Sequence, residues 1–188
     1  MQLFEYLQTN KKAVLKKWFQ AISQGYPSDT CSFLLQQKDP FANPVGHTLR
    51  VETERIYDEL LKEKCSDEIA RYLDGIIRIF AVQDFTPSGA LSFMFLLKNV
   101  VREEIHKAKE KPEAAHLYEF ENRVDQTALL GFEIYVKCRE QVWELKANAI
   151  RDRTHNILER AKLWKSTESE GDSAEDIQKS EQKKRGDQ

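Results

Sequence analysis

Apolar residues recur at three- and four-residue steps along most of this chain, and the steps break in only a few places. Leu3, Leu7, Val14, Leu15, Trp18, Phe19 and Ile22 form the first stripe. It predicts an amphipathic helix that ends near Gly25, with Pro27 as the stop. Residues 28–38 read as a short helix capped by Ser28 or Asp29. Asn43 then caps and Pro44 opens a helix with Val45, Leu49, Ile56, Tyr57, Leu60 and Leu61 on one face. After a break at 64–66, a fourth helix starts at Ser66 or Asp67, buries Ile69, Leu73, Ile76, Ile77 and Phe80, and ends near Gln83.

The most apolar window follows. Thr86 is an N-cap candidate, Ser88 a second one, and Pro87 fits the first helical position. The run from Leu91 to Leu97 covers nearly every face of a helix, and a helix apolar all round is buried. A central helix from Pro87 to about Lys109 is therefore predicted in the middle of the fold.

Pro112 opens the last helix. Leu117, Phe120, Val124, Ala128, Gly131, Tyr135, Cys138, Val142, Leu145 and Ala149 follow at steps of three and four, a heptad-like stripe. It thins but continues through Thr154, Ile157, Ala161 and Trp164. A helix of roughly 50 residues is longer than one domain needs, so its second half is expected to project or to pair with another copy. From Lys165 onward the chain is polar and charged, too poor in large apolar groups to offset the entropy of ordering. The expected organisation is a helical domain over 1–163 and a disordered charged tail over 164–188. The fold class is all-α, either globin-like or an antiparallel helical bundle, since both use the same periodicity.

Composition narrows the function classes. The chain has 188 residues, 40% of them hydrophobic, enough for one core, and its net charge is −2. A nucleic-acid binder more often carries a basic excess. No apolar run approaches the ~20 residues that cross a bilayer, and the N-terminus has no apolar signal segment. Three scattered cysteines, Cys31, Cys65 and Cys138, suit a reducing cytoplasm better than a disulfide framework.

Candidate chemistry is sparse. No P-loop, GxGxxG, HExxH or Ser/His/Asp arrangement occurs, so no enzyme activity is expected. The histidines are His47, His106, His116 and His155, none at metal-pair spacing. His47 or His106 would be the haem ligand if the protein were a tetrapyrrole-binding globin; otherwise no cofactor or metal is expected. Cys138 falls on the apolar stripe and reads as a core cysteine, whereas Cys65, in a Lys-Glu-Lys-Cys turn, is the better exposed thiol. Gln83, Asp84 and Ser88 cluster at the corner before the central helix. Such a corner can hold a small ligand through polar side chains and helix N-terminal N–H groups, or it can only cap the helix.

Two segments carry a resemblance. DPFANPVGHTL (39–49) and IIRIFAVQDFTPSGALSFMFLLKNVVREEI (76–105) are similar to the N-terminal domain of RsbRD-type RsbT co-antagonists, the sensory half of stressosome proteins. The region of Trp18 and the stretch YVKCREQVWELKANAIRDRTHNILERA also resemble it, so the likeness covers residues 1 to about 163, with AVQDFTPSGA its most specific part. The sequence departs from the family pattern at Phe80, where an Arg is usual. The resemblance implies an all-helical domain related to non-haem globin-like sensors, and a dimer whose last helix leads out of the sensor. In co-antagonists that helix feeds a STAS domain. No strand-rich segment follows here, so a stand-alone member without that output is expected.

The reading of the whole is a cytoplasmic, dimeric, non-catalytic sensory domain that signals through its long last helix. Gln83, Asp84, Phe85, Pro87 and Ser88 are its candidate signal-binding residues, with Asn43 and Gly46 shaping the opposite helix start. Cys138, Val142, Leu145, Ala149, Ile157, Ala161 and Trp164 are the candidate dimer or partner face. An accessory scaffold subunit of an enzyme complex is the alternative interaction role.

Overall fold

The computed structural model describes the backbone of residues 2–64, 66–108 and 111–185, and side chains as far as Lys162. The described residues form seven helices joined by short connections, with no strand among them. Two units are distinct, Met1–Gln141 and Val142–Gln188.

The first stripe is divided. Helix α1 spans Leu3–Thr9 and α2 spans Lys11–Ser23, where one helix is expected. The break falls at Asn10, whose backbone N–H and side-chain amide both donate to Tyr6 O, at 3.0 and 2.9 Å. Helix α3, Ser28–Gln36, is entered from Pro27, and neither Ser28 nor Asp29 makes the expected capping bond. Helix α4, Pro44–Leu61, opens as expected, with Asn43 Oδ1 accepting from Gly46 N at 2.8 Å. Helix α5 is Glu68–Val82, and α6 is Pro87–Lys107, with Thr86 Oγ1 accepting from Gly89 N at 3.2 Å. Helix α7, Ala114–Arg185, starts two residues after Pro112. Trp164 and the tail expected over 164–188 lie outside the described side chains, and Cys65 lies outside the described residues.

In the first unit α2 packs on α6, and α4 packs on α5 and α2. Trp18 is wholly buried. Its indole N–H donates to Phe93 O at 2.6 Å, and its ring stacks on Phe93 with centroids 6.1 Å apart. Tyr57 O–H reaches across to Leu7 O at 3.1 Å. Helix α6 is the central element, burying Leu91, Phe93, Met94, Leu97, Val100 and Val101. Its apolar surface is nevertheless not covered all round, because Phe95 is 49% exposed. Gly131 of α7 is buried against α5 and α6, and a Cβ there would lie 3.0 Å from Leu91 and 3.1 Å from Ile77. Only a glycine lets these helices approach so closely without displacing a neighbour.

Two acids are buried among the described residues of this unit, and each is paired. Glu104 accepts from Lys17, and from Lys107 at 3.0 Å. Those bonds, Lys17 first, hold its carboxyl below the ordinary value of 4.5. Burial pushes the Glu59 carboxyl up, but hydrogen bonds from Lys62 and Ser66 outweigh it and leave the group below its ordinary value. Neither is an unpaired acid poised for proton transfer.

Candidate functional site

The corner between α5 and α6 is built from four residues, 83–86. Helix α5 ends at Val82, and Asp84 takes a left-handed backbone with φ of 58°. That conformation is unusual for a residue with a Cβ and is best tolerated by Asn, Asp and Gly. It turns the chain so that Phe85 N can donate back to Phe80 O at 3.1 Å. Thr86 then caps α6 and Pro87 occupies its first position.

Side chains from α7 and from the connection after α2 hold this turn. Arg139 Nη1, on α7, donates to Ala81 O at 2.9 Å and to Asp84 Oδ1 at 2.6 Å. The Asp84 carboxylate in turn raises the Arg139 pKa. One turn earlier on α7, Tyr135 O–H donates to Phe85 O at 2.6 Å. From the connection between α2 and α3, Tyr26 O–H donates to Gln83 Oε1 at 3.0 Å. Burial pushes the Tyr26 hydroxyl up to about 12, so it stays a protonated donor at neutral pH. Under the corner, the rings of Tyr26, Phe80 and Phe85 form a cluster, with Phe80 and Phe85 centroids 5.0 Å apart. Phe80 thus supplies the ring that both Tyr26 and Phe85 pack against.

The predicted site residues therefore separate into three places. Gln83, Asp84 and Phe85 come together in the corner and spend hydrogen bonds on protein partners. Pro87 and Ser88 instead line an apolar groove of about 590 Å³, shared with Phe95 and Phe132. Asn43 and Gly46 tie α4 to α3, since Asn43 Nδ2 donates to Gln37 O at 3.0 Å. A Cβ at Gly46 would stand 2.3 Å from Asn43 Nδ2, so the glycine makes room for the cap. Tyr26 and Arg139 were not among the predicted site residues, and Tyr135 was placed only on the apolar stripe of the last helix. The available signal was the four-residue step from Tyr135 to Arg139, which puts both on one helix face.

The predicted partner face is mixed in exposure. Cys138 is buried, its thiol 3.8 Å from Asp74 Oδ1, and burial pushes its pKa up. It faces inward within the first unit, as the core-cysteine reading expects and as its place on a partner face does not. Within the second unit Val142 is half-buried, and Leu145, Ala149, Ile157 and Ala161 are exposed. Trp143, Ile150 and Leu158 are also exposed there, at 62%, 67% and 55%, and were not singled out in the sequence. Trp143, Ile150 and Ile157 fall seven residues apart, a repeat masked by the more obvious stripe through Val142 and Ala149.

His47 and His106 are both exposed. Among the described residues, no group of three or more His, Cys, Asp or Glu is placed to hold a metal, and no helix is long and apolar enough to cross a membrane. The family model described as the RsbT co-antagonist protein RsbRD N-terminal domain matches residues 12–150, from α2 into α7. No curated protein and no solved structure matches the chain.

Proposed function

Since the chain belongs to the RsbT co-antagonist protein RsbRD N-terminal domain family, a stressosome-related regulatory family, we propose that it is a non-catalytic regulatory domain working as a homodimer, with α7 as its signalling element. The observation that carries this reading is the exposed apolar series of the second unit. Trp143, Ile150 and Ile157 recur every seven residues on a helix and stay more than half exposed. A heptad of large apolar residues facing water is what a pair of helices buries when they associate.

The first unit supports a mechanical role for α7. Arg139 and Tyr135 engage the α5–α6 corner by hydrogen bonds, so a shift of α7 against α5 would break bonds to Ala81, Asp84 and Phe85 together. A group of contacts broken or made as a set can separate two discrete states. Gln83, Asp84 and Phe85 act in this reading as the coupling point, and a signal acts by favouring one packing of the corner.

The test is sedimentation equilibrium on the full chain and on the Ile150→Glu/Ile157→Glu variant. The expected result is a dimer that the double substitution converts to monomer with unchanged helical circular dichroism. A dimer indifferent to both substitutions would refute the assignment to α7. His47→Ala and His106→Ala distinguish the tetrapyrrole alternative, which requires a Soret band that one of them abolishes.

A further inference from the structure

A second groove lies in the first unit, between α2, α3 and α4. It measures about 530 Å³, within the range of small-molecule sites. Leu15, Phe19 and Leu35 give it an apolar lining, and Lys16, Lys38 and Arg50 add three cations. Arg50 is fixed in the wall. Its guanidinium donates to Leu34 O and stacks over Phe19, 4.2 Å from the ring centroid.

The charge of the groove is not neutralised locally. Its lining carboxylate, Glu54, lies 2.8 Å from Lys11 Nζ and is committed to that partner. Among the described residues, no carboxylate pairs with Lys16, Lys38 or Arg50. Burial lowers the Arg50 pKa, the response of a cation short of a counter-charge. An apolar slot rimmed by cations that no carboxylate partners, on a chain whose net charge is −2, favours a ligand with one anionic head and one apolar body.

We propose that the α2–α3–α4 groove binds a free amphiphilic carboxylate, its tail against Leu15, Phe19 and Leu35 and its head among Lys16, Lys38 and Arg50. The site uses no residue of α7, so it stands or falls separately from the dimer reading.

The test is calorimetric titration of the full chain with dodecanoate at monomeric concentrations. Saturable binding is expected, with at least tenfold weaker binding of 1-dodecanol and of dodecyltrimethylammonium. The Lys16→Glu/Lys38→Glu variant should lose at least tenfold in dodecanoate affinity with unchanged helical circular dichroism, and Lys12→Glu on the same helix should not. Equal binding of dodecanol, an indifferent double variant, or binding only to phosphatidylglycerol vesicles and not to monomeric dodecanoate would each overturn the proposal.

Discussion

Arg139 Nη1 lies 2.6 Å from Asp84 Oδ1, and Asp84 is the one non-glycine residue with positive φ among the described residues. The pair joins α7 to the only left-handed turn between described helices. The same guanidinium also satisfies Ala81 O, at the end of α5. Removing the two partners should therefore have unequal effects. Arg139→Met deprives a carbonyl as well as a carboxylate, whereas Asp84→Gly loses the ion pair but relaxes the backbone. Urea unfolding of both variants checks this, and Arg139→Met should show the lower midpoint. The reverse order would mean that the turn is held by something other than Arg139.

Trp18→Phe should destabilise the first unit by about 2–3 kcal/mol, combining a lost buried hydrogen bond with a cavity. The indole N–H to Phe93 O bond ties α2 to the middle of α6, and both rings sit in the core. Chemical denaturation with constant m-value would measure it.

Gly131→Val should cost about 1–3 kcal/mol through overpacking. Its Cβ would already meet Leu91 and Ile77 at 3.0 and 3.1 Å, and two further methyl carbons have nowhere to go. Gly131→Ala should cost less, because Ala gains helix propensity. Thermal unfolding of the two variants would separate them.

Acid should weaken the fold through Glu104. Its carboxyl is held below its ordinary 4.5 by Lys17 and Lys107, so the folded state binds the proton less readily than the unfolded chain. That stability is fully present above about 4.5 and is lost as pH falls through the lower folded value. Glu104→Gln should flatten the fall in urea midpoint between pH 7 and pH 3 without removing it, since Glu59 behaves alike. An unaltered pH profile would show that the Lys17 pairing carries no linkage.

Periodicity made the helices legible because each element buries one stripe. Asn43 with Pro44, and Thr86 with Pro87, marked two helix starts correctly because capping is local chemistry. The split at Asn10 was not legible, since the apolar stripe runs on unbroken through it from Leu7 to Val14. Phe95 on the exposed face of α6 was misread for a different reason. Composition shows that a helix is apolar all round, but not whether the fold supplies enough partners to cover it. Of the candidate site, Gln83 to Ser88 marked the corner, yet Tyr26 and Arg139, which hold it, are 57 and 55 residues away from their partners. No local pattern encodes such pairings. The solvent-facing heptad of Trp143, Ile150 and Ile157 was present in the sequence but lay beside a stripe that looked equally good.

The most direct measurement is a native mass spectrum of the full-length chain. A homodimer formed through α7 gives a species at twice the 22.0 kDa chain mass, which shifts to the single-chain mass in the Ile150→Glu/Ile157→Glu variant. A wild-type chain that is monomeric at micromolar concentration would contradict it.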